Sequence, residues 1–288
     1  MSKTILITGT SSGLGKDTAQ TLVKAGHRVF GTMRAVTGLH SDKAKECQAN
    51  GIEVIELDVT NDASVDAAFK SLFQKTGGKL DVLINNAGSM VQGISETITA
   101  EQTSAMFDVN VIGIQRVLRA ALPQMRRNHA GLVINIGAVL GRVTIPFMGL
   151  YGATKFAVEA LTESYRYELS QLGIDVVLVQ PSAYPTNLYT DTHAKDGARA
   201  SEYGAVAEIP KAFAKFMAGM FSGANAPNPH EVAKGIAEVI ATPAGKRPER
   251  LLIGAPFGAD AVNAACQPIQ SGMIDGLNMG GLKTLNVA

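Results

Sequence analysis

This chain opens with an apolar stretch, TILITG (4–9), that runs through a glycine-rich turn, TGTSSGLG, into a helical pattern, GKDTAQTLVKAG (15–26). In that pattern Ala19, Leu22 and Val23 recur on one face, and Gly26 stands where a C-cap belongs. The same order then repeats. RVFGTMR (28–34) and IEVIELDV (52–59) read as a second and a third strand, and NDASVDAAFKSLFQKTGG (61–78) as a helix with an Asn or Asp cap and a closing glycine pair. LDVLINNAG (80–88), GLVINIG (131–137), IDVVLVQP (174–181) and RLLIG (250–254) add four more strands. The spacing predicts one long helix from about Thr103 to Arg127 and another from the Tyr151 segment to about Leu172. NPHEVAKGIAEVIA (228–241) carries Asn at the N-cap and Pro at the first helical position. Strands that are apolar throughout, alternating with helices, predict an α/β fold: a doubly wound parallel sheet of about seven strands with helices on both faces.

With 46% hydrophobic and 18% charged residues, the 288-residue chain can bury a substantial core and is not of disordered composition. A net charge of +1 without a long basic run argues against a nucleic-acid partner. Cys47 and Cys266 lie far apart, so neither a disulfide scaffold nor a metal site is expected. The opening MSKTILITGT is too short in its apolar part for a signal peptide or a membrane span, and a cytoplasmic setting is the simplest expectation. The reading is one catalytic domain over 1–255, with a substrate loop at 184–226, followed by a glycine-rich extension, 256–288.

In sheets of this kind ligands bind beyond the C-terminal strand ends. Five such ends here are polar or glycine-rich: TGTSSGLG, LDV, NNAG, NIGA and QPSAYPT. Gly9, Gly13 and Gly15, with Ser11, Ser12 and Leu14 between them, stand between strand and helix as a dinucleotide site requires. The glycines would let a pyrophosphate approach the helix N-terminus; the plain alternative is an ordinary strand–helix turn. After the second strand stands Arg34, with no acid until Asp42. That favours NADP(H), whose 2′-phosphate an arginine accommodates, over NAD(H), although a solvated surface arginine would look the same. Asp58 and Val59 end the third strand, where a carboxylate could hydrogen-bond an adenine edge. Asn86, Ala87 and Gly88 leave room for a flat ring and a ribose, or are turn chemistry.

Tyr151 and Lys155 stand one helical turn apart. A free phenol, with pKa near ~10, is a poor base at neutral pH, but a neighbouring ammonium favours its phenolate. Tyr151 could then donate a proton to a carbonyl as hydride arrives, or take one in reverse. A surface Tyr–Lys pair has the same spacing.

Taken in order, Thr8, Gly9, Gly13, Gly15, Asp58, Asn85, Asn86, Ala87, Gly88, Asn110, Tyr151, Lys155, Pro181 and Thr186 resemble the motifs of the short-chain dehydrogenase/reductase family over about residues 3 to 255. The resemblance implies a Rossmann-type fold, a nicotinamide cofactor and reversible hydride transfer to a carbonyl. It implies Tyr151 as general acid/base, Lys155 on the nicotinamide ribose, Pro181 and Thr186 at the cofactor, and Asn110 kinking its helix and holding a relay water. A buried asparagine that satisfies backbone groups is the plainer reading of Asn110. The family is usually dimeric or tetrameric, often through the two long helices, where Ala153, Ala157 and Ala160 would allow close packing.

One position departs. The family usually places a serine thirteen residues before the tyrosine to orient the substrate carbonyl, and here that residue is Ala138. Loss of such a donor costs on the order of 10²–10³ in rate, so Ala138→Ser is expected to raise kcat by that factor. Three explanations stand: a deliberate Ser→Ala replacement, preferred because every other motif is kept; a natural enzyme with another donor, Thr144 or a water; or an NADP(H)-binding regulatory pseudoenzyme. The expected substrate is an apolar ketone, aldehyde or alcohol. Met90, Phe147, Met148 and a stripe of Ile209, Phe213, Phe216, Met217 and Met220 would supply the apolar surface, unless that stripe is core packing.

Overall fold

The structure, a computed structural model, describes residues 1–190 and 192–287; position 191, inside the substrate loop, and position 288, at the end of the extension, lie outside the described residues. Seven strands form one sheet: β1 (Thr4–Ile7), β2 (Arg28–Met33), β3 (Glu53–Glu56), β4 (Val82–Asn85), β5 (Gly131–Ile136), β6 (Ile174–Pro181) and β7 (Arg250–Ile253). Their order is β3-β2-β1-β4-β5-β6-β7, and every pairing is parallel. The chain reverses direction across the sheet between β1 and β4, and the crevice that opens there is where such sheets hold ligands.

Period-two alternation sorts the apolar side chains into two cores. Ile5, Ile7, Val29, Val82, Ile84 and Ile134 meet the helices α1 (Gly13–Lys24), α2 (Ser41–Ala49) and, beyond β6, α9 (His230–Ala241). Leu6, Phe30, Leu83, Val133 and Val176 face the other way, toward α3 (Asp62–Thr76), α5 (Gly113–Asn128) and α6 (Gly149–Ser170). Both faces are covered, which is why the strands read as continuous apolar runs.

Several boundaries differ from the sequence expectation. The helix expected from about Thr103 starts earlier, as α4 (Ala100–Phe107), because Thr99 and Gln102 form a capping box. It then passes through a π-turn, Asp108–Ile112, before α5, so it is not one regular helix. Asn228 is not the N-cap of α9; Pro229 occupies that position, and the Asn228 side chain accepts from the His230 N–H at 3.0 Å. The polar helix α2 was not anticipated. The 184–226 segment is no open loop: it holds the turn Asn187–Tyr189, α7 (Gly197–Glu202) and α8 (Ile209–Met220).

The extension forms α10 (Ala259–Gly276), whose Asn263 exchanges hydrogen bonds with Gln180 of β6. Its tail returns to the end of α6, where Gln171 donates to the Gly281 and Thr284 carbonyls. Among the described residues no helix is long and apolar enough to cross a membrane, and no cluster of metal-ligating side chains occurs.

Candidate active site

The crevice is latched by short polar residues. Thr8 Oγ1, at the end of β1, accepts from the backbone N–H groups of Asn86 and Ala87, both at 3.0 Å. The Asn86 amide donates back to the carbonyls of Thr8 (2.9 Å) and Gly9 (3.0 Å). Gly9 and Gly13 take left-handed φ values of +73° and +57°, which glycine adopts without strain. Gly15 is demanded by space: a Cβ there would stand 2.3 Å from both Asn86 Nδ2 and Gly9 O.

The N-terminus of α1 has no side-chain cap and no acidic residue in its first turn. Its free N–H groups and positive dipole end therefore face a cavity of about 640 Å³, an environment suited to an anion. Thr186 stands across from it, 3.5 Å from where a Gly13 Cβ would lie. These residues fit a dinucleotide pyrophosphate.

The same cavity is lined by Ser11, Ser12, Leu14, Arg34, Asp58, Val59, Ala87, Gly88, Ala138, Tyr151, Lys155 and Pro181. The residues singled out as cofactor-binding or catalytic therefore reach it, except Asn110; of the expected apolar substrate surface, Met148, Phe213, Phe216, Met217 and Met220 line it, whereas Met90, Phe147 and Ile209 do not. Arg34 is exposed at its rim, and His40, which sequence reasoning missed, packs its Nδ1 2.8 Å from the Arg34 carbonyl. Burial pushes the Asp58 carboxyl up, but hydrogen bonds from Thr60 and the Arg34 and Arg116 guanidiniums outweigh it, leaving the carboxyl below its usual range.

Asn110 lies beneath the cavity in the π-turn, 1% exposed. Its amide donates to Ser89 O (2.8 Å) and Thr154 Oγ1 (3.0 Å), and its oxygen accepts from Ser89 N (2.8 Å). The side chain thus ties the helix to the end of β4. Both amide protons are committed, so a relay water would have to rest on an oxygen.

Tyr151 and Lys155 are both buried on the first turns of α6, with Lys155 Nζ 5.7 Å from the Tyr151 ring centroid. Lys155 donates to the Ile136 carbonyl at the end of β5, at 2.9 Å. The expected lowering of the Tyr151 pKa is not found. Burial pushes the phenol up, with a smaller push from Tyr189, because a phenolate in this apolar pocket would lose its hydration. Burial likewise lowers the Lys155 ammonium to about 8. Tyr151 is therefore held as a neutral acid.

The buried ammonium has a measurable consequence. Lys155 titrates at about 8 folded against 10.5 for a free lysine, so in that window the unfolded chain binds the additional proton. Stability then rises with pH across the window, and below it the burial penalty is fully present. Above about pH 10 the buried tyrosines act oppositely, since their unfolded forms ionise first. Lys155→Met is expected to stabilise the cofactor-free protein near neutral pH by up to about 3 kcal/mol, reduced by the orphaned Ile136 carbonyl, with the gap closing toward alkali. Denaturant melts at neutral and alkaline pH check this; a variant less stable at both would refute it.

Ala138 sits at the end of β5 in extended backbone, 8% exposed, and presents only a methyl group to the cavity. Thr144, the suspected replacement donor, is exposed. Met90, Met106 and Met148 pack around Tyr151, with Leu188, Tyr189 and Phe213 against them; of these, Met148, Leu188, Tyr189 and Phe213 line the cavity. Phe213, Phe216, Met217 and Met220 of α8 line the opening, and α8 contributes no fully buried residue. The apolar stripe is not buried core: four of its five residues line the cavity, and Ile209 is exposed outside it. Phe257 and Tyr189 also line the cavity and went unread in the sequence. Phe257 lies in the extension and Tyr189 in an irregular turn, where no periodicity marks either.

Residues 3–197 match a family model described as short chain dehydrogenase. The chain is similar to 3-ketodihydrosphingosine reductase of Bacteroides thetaiotaomicron, 41% identical over 187 residues, which is 65% of each protein. It is also similar to 17-beta-hydroxysteroid dehydrogenase type 1 of Mus musculus, 36% identical over 192 residues, covering 64% of this chain and 55% of that protein. The matches thus span under two thirds of these relatives' lengths. Among solved structures, a short-chain dehydrogenase from Streptomyces avermitilis superposes with TM-score 0.75 at 28% identity, covering 97% of this chain and 99% of that one. An alcohol dehydrogenase from Thermococcus sibiricus, complexed with 5-hydroxy-NADP, gives TM-score 0.69 at 26% identity, covering 88% and 96%. A Burkholderia phymatum short chain dehydrogenase/reductase in complex with NAD gives 0.74 at 26% identity, covering 93% and 94%. These neighbours support a nicotinamide cofactor.

Proposed function

The chain belongs to the short-chain dehydrogenase family, and from that premise we propose that it is an NADP(H)-dependent oxidoreductase interconverting an apolar ketone or aldehyde and its alcohol. The observation that carries the reading is the buried Tyr151–Lys155 pair, which shares one cavity with an open anion cradle and a wall of methionine and phenylalanine. The α1 N-terminus would hold the pyrophosphate, Arg34 the 2′-phosphate, and Asn86, Ala87 and Gly88 would flank the ribose and ring. Bound nicotinamide supplies a hydride to the carbonyl carbon, or accepts one in reverse. Tyr151 gives its proton to the carbonyl oxygen as negative charge grows there, and the charge of Lys155 steadies the phenolate left behind. Because burial keeps Tyr151 protonated, it starts as the acid that the reduction step needs. In the same reading the protein assembles as a homodimer or homotetramer through α5 and α6, where Ile112, in the π-turn just before α5, and Phe156 of α6 are exposed apolar side chains.

A second reading, a nucleotide-binding protein without turnover, draws on Ala138 alone. NADPH oxidation over a panel of apolar carbonyls separates the two. We expect kcat/KM for NADPH to exceed that for NADH by at least about tenfold, and Arg34→Ala to remove that margin, as loss of a charged hydrogen bond of about 1.5 kcal/mol would. Equal use of both cofactors would overturn the NADP assignment. Tight cofactor binding without turnover of any carbonyl would favour the second reading.

A further inference from the structure

We propose that Tyr189 supplies the hydrogen-bond donor that Ala138 lacks, so that the substrate oxygen is held between two phenols, Tyr151 and Tyr189. The proposal rests on the carbonyl-reductase reading above. It begins from the placement of the Asn187–Tyr189 turn. Thr186 caps this turn, and the Tyr189 N–H donates to the Thr186 carbonyl at 3.3 Å. Since Thr186 faces the α1 N-terminus, the turn is fixed beside the cofactor cradle. The Tyr189 ring packs on Phe221, with centroids 5.0 Å apart, and joins the methionine cluster around Tyr151. Tyr151 and Tyr189 line the same cavity as Ala138.

The hydroxyl is uncommitted: among the described residues none hydrogen-bonds to it. Burial pushes its pKa up to about 12, so it is a neutral donor at physiological pH. The other candidates are weaker. Tyr184 already donates to Glu231, at 3.1 Å; Thr144 lines the cavity but is exposed, and it is not part of the cluster packed around Tyr151. The two phenols divide the work by their surroundings. Tyr151 has Lys155 beside it to stabilise a phenolate and can release its proton. Among the described residues no cation stands against Tyr189, so it keeps its proton and only donates a hydrogen bond. In this site the gain expected from Ala138→Ser becomes conditional on Tyr189.

Four proteins test this: the chain itself, Ala138→Ser, Tyr189→Phe and the double variant. Each is assayed with NADPH and α-tetralone, decanal and estrone, alongside NADPH affinity by fluorescence titration. Phe keeps the ring packing and removes only the hydroxyl. Tyr189→Phe should lower kcat about 10²-fold, and Ala138→Ser should restore about 10² in that background but less than about tenfold in the parent. NADPH affinity should hold throughout. Equal gains from Ala138→Ser in both backgrounds, a Tyr189→Phe kcat near that of the parent, or a loss of NADPH affinity in Tyr189→Phe would each overturn the role. No turnover by any of the four would overturn the carbonyl-reductase reading itself, and this proposal with it.

Discussion

Tyr151→Phe is expected to lower kcat by about 10²–10⁴-fold, the range for loss of a positioned general acid, while NADPH binding and thermal stability stay at parental levels. The hydroxyl has no hydrogen-bond partner among the described residues, so its removal breaks no structural contact. The ring would remain in the cluster with Met90, Met106 and Met148. Stopped-flow or steady-state NADPH oxidation, with a fluorescence titration of the cofactor, checks this. A drop below about tenfold would mean that the proton comes from elsewhere. A fall in cofactor affinity would mean that Tyr151 serves the nucleotide more than the carbonyl.

Gly15→Ala should damage binding instead of chemistry. The added methyl would stand 2.3 Å from Asn86 Nδ2 and from the Gly9 carbonyl, and neither can retreat. Asn86 is held by Thr8 and Gly9, and a Cβ on Gly9 would itself stand only 2.9 Å from Ala87 Cα. Either the first turn of α1 tilts away or the Asn86 latch opens. We expect a loss of about 2–4 kcal/mol in stability, from overpacking together with two weakened hydrogen bonds. We also expect NADPH affinity to fall at least about a hundredfold, because the N–H groups of α1 no longer converge on one point. Denaturant melts and cofactor titration read the two effects separately. Normal affinity in this variant would mean that the phosphates lie elsewhere.

The frame was legible because it rests on local patterns. TILI, VLIN and IDVVLVQP are buried throughout, and such runs between amphipathic stretches admit few arrangements. The cradle was legible because glycine positions record backbone geometry directly. Three things were not. The start of α4 depended on a Thr99–Gln102 capping box that the apolar spacing does not display. The protonation of Tyr151 was misjudged because spacing reveals its neighbour but not its burial, and burial outweighs the ammonium. Tyr189 was missed because its relation to Tyr151 is purely tertiary: the two are brought together by the fold of β6 onto α6, not by any interval in the chain.

Helix α8 bears on how this protein can change. It contributes no fully buried residue, and Phe216 is 65% exposed. The two sheet cores therefore stand without it, and substitutions along it, as at other surface positions, should shift stability by only about 0.5 kcal/mol. In the function proposed above, the same side chains shape the opening through which the substrate would pass. The family match ends at residue 197, before this helix begins. On that proposal, selectivity and foldability are written in different parts of the chain. A lineage carrying this frame could then exchange the bulk of Phe213, Phe216, Met217 and Met220 for other apolar shapes, and so try new substrates of the proposed carbonyl chemistry, without endangering the sheet and its two cores.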